Sequence, residues 1–374
     1  MPLFIGLMSG TSLDGIDAAL VRCEHGHRPK LLKALGIVMP SRLRQTLLSI
    51  SHADSVRFDT LAQAEHDFCH LQAEAVNQLL AQAGLTPKAI AAIGSHGQTI
   101  EHRPYDTPAY TCQLDNPSLL AELTQCTVVG DFRRRDLAAS GQGAPLAPGF
   151  HIELFQDDRE WRVALNLGGF ANLTLLPPRT THSTIIGFDT GPANALLDGW
   201  YSRHHEGHFD ADGDWASTGR VNEQLLMQMM AEPFFHLPPP KSTGRETFNM
   251  PWLERQLAGY DASPVDVQAT LAELTAASVA LGVHQTLPSD VSVENVKVIP
   301  CGGGAHNLDL QKRIAQRLSP MLLVTCDSFG WSPDWLEAGA FAWLAWQRLE
   351  QRPGNIATVT GAKGPRVLGG VYSA

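Results

Sequence analysis

The most constraining feature of this sequence is an order of predicted elements that occurs twice. Short apolar runs bounded by turn residues are typical of strands, and apolar residues three or four positions apart are typical of helices. In each half, three strands, a helix, a strand, a helix and a strand follow in order. The first half has predicted strands at 3–8, 16–23, 31–39, 90–95 and 127–129 and helices at 61–83 and 117–124. The second has strands at 162–167, 172–176, 184–188, 296–300 and 321–325 and helices at 193–201, 222–230, 265–281, 308–318 and 334–349.

This order predicts an α/β protein with two similar domains, each a mixed five-stranded sheet with helices on its faces. No short residue-level repeat supports a solenoid instead. A length of 374 residues also exceeds what one hydrophobic core usually holds. We expect residues 1–132 and 355–374 to form the first domain and residues 133–354 the second. Because such sheets bind ligands at the carboxyl ends of their strands, the active site is expected in the cleft between the domains.

Charge, cysteine usage and the start of the chain exclude several classes of partner. A net charge of -10 argues against nucleic acid, whose binding relies on a positive surface. The apolar run 3–8 follows no basic residue and leads into polar residues 9–12, so it resembles neither a signal peptide nor a membrane span. The six cysteines form no C-x-x-C pair, as in reduced cytosolic chains. The sequence therefore predicts a cytoplasmic protein without nucleic-acid or membrane partners.

A turn rich in small residues follows the first predicted strand. Residues 6–17 read Gly-Leu-Met-Ser-Gly-Thr-Ser-Leu-Asp-Gly-Ile-Asp. Glycine, serine and threonine let backbone N–H groups approach a phosphate closely, and the hydroxyls add donors. Asp14 and Asp17 are candidates to hold the Mg²⁺ of a nucleotide, directly or through water. An ordinary tight hairpin would have the same composition, so this turn alone leaves both interpretations open.

An aspartate stands at the matching place in the second half. Asp189 belongs to the segment 187–194, Gly-Phe-Asp-Thr-Gly-Pro-Ala-Asn, and is predicted to end a strand on a turn bounded by glycines. A carboxylate there can act as a general base on a nearby hydroxyl or water. Capping of the following helix is the alternative role. The pairing of this segment with the first turn favours the base.

Two further glycine-containing segments follow predicted strands of the second half. Residues 165–172, Leu-Asn-Leu-Gly-Gly-Phe-Ala-Asn, would form either a plain hairpin or another phosphate contact. Residues 299–307 place three successive glycines, 302–304, before a helix. Such glycines permit a flat nucleoside to lie against the backbone, and a helix N-terminus favours negative charge. A dinucleotide-binding fold would also suit this second segment, so it does not decide the function by itself.

Several familiar signatures are absent from the sequence. There is no Gly-Lys dipeptide, and hence no Walker-type phosphate loop. Neither G-x-G-x-x-G nor G-x-S-x-G occurs, which argues against the simplest dehydrogenase and hydrolase interpretations. Asp210, Asp212 and Asp214 lack the glycine and glutamate positions of a calcium loop. His66 and His70 lack the glutamate and third ligand of a zinc protease, so both segments are expected to be solvated surface.

Polar residues cluster near strand ends of the first predicted domain. They occupy segments 94–99, 131–136 and 140–145, together with Gln113. A hydroxyl-rich ligand needs such side chains, because each sugar hydroxyl left unpaired in a closed site weakens binding. Arg133 could pair with a carboxylate through two hydrogen bonds. His96 taken alone is more often a structural histidine than a ligand contact.

Together these motifs resemble those of the 1,6-anhydro-N-acetylmuramic acid kinases, bacterial enzymes of peptidoglycan recycling. The similarity runs over nearly the whole chain. It is carried by LMSGTSLDGID (7–17), GSHGQT (94–99), GDFRRRD (130–136), SGQGAPL (140–146), NLGGFAN (166–172), GFDTGPAN (187–194), PKSTGRE (240–246), CGGGAHN (301–307) and EAGAFAWLAW (337–346). The resemblance implies the actin-like, ribonuclease H-like fold of the sugar kinase superfamily, a small sugar substrate and a homodimer. Ala193 departs from the glycine usual in the family, at a position without a proposed catalytic atom.

The resemblance also implies the chemistry, with ATP and Mg²⁺ as cosubstrate and metal. Asp189 would be the base that activates a water to attack C1 of the anhydro sugar, the bond to O6 would open, and O6 would take the γ-phosphate to give N-acetylmuramic acid 6-phosphate. The residues assigned to ATP are Gly10, Thr11, Ser12, Leu13, Asp14, Gly15, Ile16, Asp17, Asn166, Gly168, Gly169, Thr190, Gly191, Asn194, Gly302, Gly303, Gly304 and Asn307, with Asp14 and Asp17 also at Mg²⁺. Those assigned to the sugar are His96, Gln98, Thr99, Gln113, Asp131, Arg133 and Glu337.

Two other functions share this scaffold. A kinase of a different sugar would keep the nucleotide motifs and differ only at 94–99, at 130–136 and around Glu337. A non-enzymatic ATP switch, like actin or a chaperone ATPase domain, would use the same phosphate turns with a partner-binding extension, which we do not expect here. Sugar-dependent release of ADP separates these alternatives.

The segment 234–245 is predicted to be irregular. It contains three successive prolines, 238–240, which supply no backbone N–H donors. We therefore expect a surface loop within the second domain. For residues 240–246 the sequence offers no chemical role, and closure over the cleft is a hypothesis.

Overall fold

The computed structural model describes residues 2–10, 12–181 and 183–374, which group into two compact units. The first unit runs to Leu154 and resumes at Trp335, and the second is Phe155–Asp334. This division differs from the expected one, because residues 133–154 and 335–354 pack with the first unit. Among the described residues, no helix is long and apolar enough to cross a membrane.

The predicted elements are present in the predicted order, with additions between them. The strands are β1 (Leu3–Ser9), β2 (Gly15–Arg22), β3 (Lys30–Val38), β4 (Ile90–Arg103), β5 (Tyr110–Leu114), β6 (Val128–Gly130), β7 (Trp161–Leu167), β8 (Phe170–Leu176), β9 (Ile186–Pro192), β10 (Val296–Cys301), β11 (Leu322–Leu323) and β12 (Gly370–Tyr372). The helices are α1 (Ser41–Ser51), α2 (Phe58–Ala83), α3 (Pro117–Thr124), α4 (Phe132–Ala138), α5 (Ala147–Phe155), α6 (Asn194–His204), α7 (Asp214–Thr218), α8 (Glu223–Met230), α9 (Pro233–His236), α10 (Met250–Leu257), α11 (Pro264–Thr286), α12 (Leu308–Leu318), α13 (Leu336–Leu349) and α14 (Ala357–Thr360). Strands β5 and β12 and helices α1, α4, α5, α7, α9, α10 and α14 are additional to those predicted.

A mixed sheet forms the centre of the first unit. Its strand order is β3-β2-β1-β4-β6-β12, and β5 pairs with β4 beyond this path. Strand β1 is antiparallel to β2 and parallel to β4. In the described residues this sheet has seven strands, two more than expected, because β5 and β12 extend it.

The second unit repeats this topology. Its strand order is β9-β8-β7-β10-β11, with β8 antiparallel to β7 and to β9 and with β10 parallel to β7. The order matches β3-β2-β1-β4-β6 of the first unit position by position. Within the described part of this unit, five strands form the sheet, as expected. The predicted duplicated α/β architecture with mixed sheets is therefore confirmed.

Helix α13 lies directly on strands β1 and β4. Gly6 and Gly94 face each other in the register of these strands. A Cβ on Gly6 would collide with the carbonyl oxygen of Ala338, and one on Gly94 with that of Phe341. The close approach therefore requires glycine at both positions, and it fixes α13 over the two strands that lead into the predicted phosphate and sugar motifs.

This packing predicts a large effect of Gly6→Ala on stability. The new methyl group would meet backbone, which cannot rotate away, so we expect a loss of about 3 kcal/mol in the free energy of unfolding. Gly26→Ala is the control, because a Cβ there meets nothing within 4 Å and the residue carries only a positive φ of 76°. We expect that control to lose about 1 kcal/mol. Equal urea midpoints for both variants would contradict the packing argument.

The prediction of an irregular loop over 234–245 is wrong for its first residues. Residues 233–236 form the short helix α9, which begins with a proline at a position where no N–H is needed. Phe234 and Phe235 are buried and pack against Phe248. Aromatic burial thus orders the start of this segment, and residues from Leu237 to Arg245 lie outside helices and strands.

Candidate active site

The first predicted phosphate turn joins β1 to β2. The backbone N–H of Leu13 donates to the carbonyl oxygen of Gly10 at 3.2 Å, and Leu13 has a positive φ of 58°. Its side chain is buried, which anchors this unfavourable backbone conformation. Ser12 and Asp14 are exposed. A Cβ on Gly10 would find only the Ser12 hydroxyl, at 3.7 Å, among the described atoms around it, so a ligand could approach the backbone closely.

Two of the residues assigned to ATP in this segment have buried side chains. The side chains of Leu13 and Ile16 belong to the hydrophobic core. Only their backbone atoms could therefore reach a nucleotide. Thr11 lies outside the described residues, and its assignment stays a prediction.

Gln98 braces this turn from strand β4. The Ser9 hydroxyl donates to Gln98 Oε1 at 2.7 Å and lies 3.0 Å from the carbonyl oxygen of Gly15. Gln98 Nε2 also lies 3.4 Å from the carbonyl oxygen of Gly10. Gln98 is 1% exposed. It thus supports the phosphate turn in this structure, and its predicted sugar contact stays a prediction.

The two carboxylates assigned to Mg²⁺ come from the turn and from β2. Asp14 is exposed, and Asp17 is half-buried opposite Met8 in the register of β1 and β2. Within the described residues, no group of three or more His, Cys, Asp or Glu side chains could hold a metal ion. Mg²⁺ usually keeps several waters and takes one or two protein carboxylates besides the phosphates. An exposed carboxylate beside an open phosphate turn fits such a site.

His96 and Arg133 form the centre of a polar cluster in the first unit. Arg133 Nη2 lies 2.8 Å from His96 Nε2, and Arg133 Nη1 donates to the carbonyl oxygen of Gly143 at 2.9 Å. Because a guanidinium group can only donate, His96 Nε2 accepts this hydrogen bond and the imidazole is neutral. The ring also packs 4.7 Å from that of Phe341 on α13.

Burial and charge set the protonation states of this cluster. Burial, and then the charge of Arg133, hold the pKa of His96 well below its usual range. Burial lowers the pKa of Arg133 to about 10, against the opposing charges of Glu337 and Asp136. Glu337 is exposed as a whole residue, yet desolvation of its carboxyl group raises its pKa against the charge of Arg133. At neutral pH the cluster therefore presents a cationic arginine beside a neutral histidine.

A second polar network lies between β4 and β5. Gln113 Nε2 donates to the hydroxyls of Thr99 at 3.3 Å and Thr111 at 2.8 Å, and His102 Nδ1 lies 3.0 Å from the Thr111 hydroxyl. Burial, and then Arg133, lower the pKa of His102 to about 4. The predicted end of this strand at residue 95 is wrong, because pairing with β5 extends β4 to residue 103. The structure brings Thr99 and Gln113 together and adds Thr111 and His102.

Asp131 contacts a different arginine. Its backbone has a positive φ of 55°, and its Oδ2 lies 3.6 Å from Nη1 of Arg134. Asp131 lines a cavity of about 480 Å³ with Arg134, Arg135 and Arg348. Burial raises the pKa of its carboxyl group, against Arg134. The structure thus places Asp131 with these arginines, and its sugar contact stays a prediction.

Asp136 supports the cluster of His96 and Arg133 through the segment 140–146, a role the sequence did not reveal. Its fully buried carboxylate accepts hydrogen bonds from Gly143 N at 2.8 Å, Asn355 Nδ2 at 2.6 Å and the Thr360 hydroxyl at 2.8 Å. Gly143 in turn accepts from Arg133. The segment 140–146 is therefore the link through which Asp136 positions Arg133.

In the second unit, Asp189 lies inside strand β9 rather than at its end. Strand β9 runs to Pro192, because its pairing with β8 continues past a bulge between Ala171 and Asn172. Ser242 Oγ donates to Asp189 Oδ2 at 2.8 Å, and Thr243 N donates to the same oxygen at 2.9 Å. The predicted strand end at residue 188 is therefore wrong, and Asp189 is a half-buried residue of the strand.

Burial has the largest effect on the pKa of Asp189. It raises the pKa of the carboxyl group, and the hydrogen bonds from Thr243 and Ser242 oppose that rise. The charge of Glu246 adds to the rise. A base whose pKa approaches the working pH is better matched to proton transfer than an unperturbed aspartate.

Glycine-containing turns of the second unit converge at one edge of its sheet. Strand β10 is parallel to β7, and Cys301 pairs with Asn166 at their carboxyl ends. A Cβ on Gly302 would collide with Asn166 Oδ1, and one on Gly304 with the side chain of Leu167. Asn194 Nδ2 donates to the carbonyl oxygen of Leu167 at 3.1 Å. Three motifs assigned to ATP therefore meet here, as the carboxyl-end rule predicts.

Some residues of these motifs leave their backbone open to a ligand, whereas others are engaged in holding the fold together. A Cβ on Gly303 would meet nothing within 4 Å, and those on Gly168 and Gly169 nothing closer than 3.6 Å, among the described atoms. By contrast, Thr190 is buried with its hydroxyl 3.2 Å from the carbonyl oxygen of Ala171, and Asn307 caps α12 by accepting from Leu310 N at 2.9 Å. Gly191 packs on a ring of α9, where a Cβ would collide with Phe235. The ATP contacts of these last three residues stay predictions.

Comparison with known proteins decides the family. The family model described as anhydro-N-acetylmuramic acid kinase matches residues 2–374. A curated protein of that name from Chromohalobacter salexigens is 60% identical over 373 residues, covering 100% of both chains. This chain belongs to the anhydro-N-acetylmuramic acid kinase family. Other relatives of the same name are those of Xylella fastidiosa, 47% identical over 376 residues with 100% of this chain and 97% of that one covered, and of Pseudomonas paraeruginosa, 47% identical over 375 residues with 100% of both covered.

Family membership confirms the resemblance drawn from the motifs. Family membership does not by itself assign a role to each site residue, and the geometry supports some of the predicted roles more than others. The structure joins His96 to Arg133 and Thr99 to Gln113, and it holds Asp189 by two donors from residues 242 and 243.

Proposed function

We propose that this chain uses ATP to phosphorylate 1,6-anhydro-N-acetylmuramic acid on O6 while water opens the anhydro ring, giving N-acetylmuramic acid 6-phosphate and ADP. The match to the family model over residues 2–374 carries this proposal. The half-buried Asp189, with a raised pKa and one oxygen occupied by two donors, supports it as the base. A kinase for another sugar on the same scaffold is the competing outcome.

The proposed reaction needs one carboxylate, which acts as its base. Asp189 removes a proton from water as the water oxygen bonds to C1, and the C1–O6 bond breaks with its electron pair remaining on O6. O6 then bonds to the γ-phosphorus, and the bridging oxygen leaves with ADP. The proton on Asp189 returns to solvent. Phosphoryl transfer itself needs mainly positioning and charge stabilisation, so one base suffices.

The assigned groups have separate tasks in this scheme. Open backbone at Gly10, Gly168 and Gly303 receives the nucleotide, because no Cβ blocks an approach there. Mg²⁺, when bound beside Asp14, would neutralise phosphate charge. Arg133, cationic at neutral pH, would pair with the carboxylate of the muramic acid lactyl group, and neutral groups such as Gln113 and Thr99 would bind hydroxyl or amide groups.

The origin of the new hydroxyl tests the ring-opening step. In H₂¹⁸O, we expect one ¹⁸O atom at C1 of the product and none in its phosphate group, because water attacks carbon and ATP supplies the phosphoryl group. Mass spectrometry of the product immediately after quenching, before C1 exchanges oxygen with solvent, measures this. A control incubation of unlabelled product in H₂¹⁸O corrects for exchange. Label in the phosphate group would contradict the proposal.

The raised pKa of Asp189 predicts the acid side of the pH profile. The base acts only when ionised, so kcat/KM for the sugar should be constant at high pH and fall as pH decreases through this pKa. The fall should be centred above the ordinary aspartate value of about 4, because burial raises the pKa. Initial rates between about pH 4 and 9 in buffers of constant ionic strength would show it. An activity that stays constant down to about pH 4 would contradict a buried base.

The assembly and compartment are part of the same proposal. A homodimer, a cytoplasmic location and the absence of nucleic-acid partners follow from the family resemblance, the cysteine usage and the net charge of -10. Light scattering of purified protein at micromolar concentration measures the oligomer. A mass near 40.6 kDa would correspond to one chain and would contradict the dimer.

A further inference from the structure

We infer that Lys241 is a positioning residue, and that it fixes which carboxylate oxygen of Asp189 accepts the proton. The inference rests on the proposed function and gives a role to the segment 240–246, for which the sequence offered none. It concerns only residues of the second unit.

The two carboxylate oxygens of Asp189 have different environments. Oδ2 accepts hydrogen bonds from Ser242 Oγ at 2.8 Å and from Thr243 N at 2.9 Å. No hydrogen bond from a described residue reaches Oδ1 in the structure. Donors stabilise the ionised form and occupy the electron pairs of the oxygen they contact. Oδ1 is therefore the oxygen left to accept a proton from the attacking water.

The segment that supplies these donors is tied to β9 by its backbone. Asp189 N donates to the carbonyl oxygen of Lys241 at 3.0 Å. Lys241, Ser242 and Thr243 are consecutive, so this bond and the two donor bonds to Oδ2 clamp the same three residues against Asp189. The clamp lies in an irregular stretch, which has no helix or strand to hold it.

The side chain of Lys241 supplies the missing anchor. Its Nζ donates to the carbonyl oxygens of Phe234 at 3.1 Å and Phe235 at 2.9 Å, at the end of α9. It also lies 4.9 Å from the ring centroid of Phe234 and 5.9 Å from that of Phe188. Phe234 and Phe235 are buried. The ammonium group therefore fastens the clamp to a rigid hydrophobic cluster, and its loss would release Ser242 and Thr243 from Oδ2.

Three variants test this role. Ser242→Ala removes one donor directly, Lys241→Met removes the anchor with little change in length, and Lys312→Met removes an exposed lysine of the same unit as a control. We expect the acid limb of kcat/KM to move up by about one pH unit in Ser242→Ala and Lys241→Met, since a carboxylate that loses donors gains basicity. We expect kcat at pH 7 to fall about tenfold in Lys241→Met, with the KM for ATP unchanged, and Lys312→Met to behave as wild type.

A second measurement keeps the inference separate from the proposed function. The carboxyl ¹³C shift of Asp189, followed against pH by NMR, gives its pKa without any turnover. Wild-type protein that fails to phosphorylate the anhydro sugar would defeat the proposed function, whereas the NMR titration would still test the clamp. An Asp189 pKa that is the same in wild type, Ser242→Ala and Lys241→Met would overturn the inference. If Lys241→Met does not fold, Lys241→Gln, a neutral and shorter side chain, is titrated in its place, and an Asp189 pKa equal to that of wild type would again overturn the inference.

Discussion

Asp189→Asn is expected to lower kcat for the anhydro sugar by about 10³-fold, within the range that general bases contribute. The amide has the same shape, yet it cannot take a proton from water. It still can accept the hydrogen bonds from Ser242 and Thr243 through its oxygen, so the fold should be retained. Steady-state formation of ADP at saturating sugar and ATP measures the loss.

Asp212→Asn is the control for this experiment. Asp212 is an exposed residue of the second unit. It lies in the segment that lacks the glycine and glutamate positions of a calcium loop. We expect its kcat to stay within twofold of wild type. The KM values for ATP and sugar should change little in Asp189→Asn, because the group acts in the transition state. An Asp189→Asn enzyme within tenfold of wild-type kcat would exclude this carboxylate as the base.

Arg133→Met is expected to lower kcat/KM for the anhydro sugar by about 10²-fold to 10³-fold, as the loss of a desolvated charge pair commonly does. Arg133 holds His96 and the carbonyl oxygen of Gly143, and its charge is the one we propose for the lactyl carboxylate. Loss of the guanidinium group removes that pairing and leaves two buried acceptors without a donor. The KM for ATP should change far less than the KM for the sugar.

The neighbouring Arg134 supplies a matched control. Its side chain is 60% exposed and lies 3.6 Å from Asp131, so Arg134→Met removes the same charge from the same helix. We expect that variant to keep kcat/KM for the sugar within threefold. Equal losses in both variants would indicate a general effect of net charge and would contradict a specific role of Arg133. Thermal melting of each variant separates lost activity from lost folding.

The architecture could be predicted because each strand of the duplicated order carries its own local signal. Apolar runs such as 3–8 and 296–300 are bounded by glycine or polar turns, and Gly84 ends α2 in the left-handed conformation expected of a helix terminus. Strands β5 and β12 carry weaker signals. They contain few core residues, and their place at the sheet depends on pairing with β4 and β6.

The site could be predicted as a set of motifs but not as a set of contacts. The phosphate turn and Asp189 are visible because their residue types suit the chemistry. The roles of Asp136 and Gln98 are not visible, because they depend on partners far along the chain such as Asn355 and Ser9. The clamp on Asp189 is likewise formed by residues more than 50 positions away. Hydrogen bonds of this kind are set by tertiary packing and leave no local pattern.

The most direct test of the account is formation of ADP by purified protein with Mg-ATP and 1,6-anhydro-N-acetylmuramic acid, compared with N-acetylmuramic acid and with no sugar. We predict rapid ADP formation with the anhydro sugar, together with stoichiometric N-acetylmuramic acid 6-phosphate, and only background with the other two. Equal rates with both sugars would contradict the ring-opening step. ADP formation that is independent of any sugar would contradict the assignment as a sugar kinase.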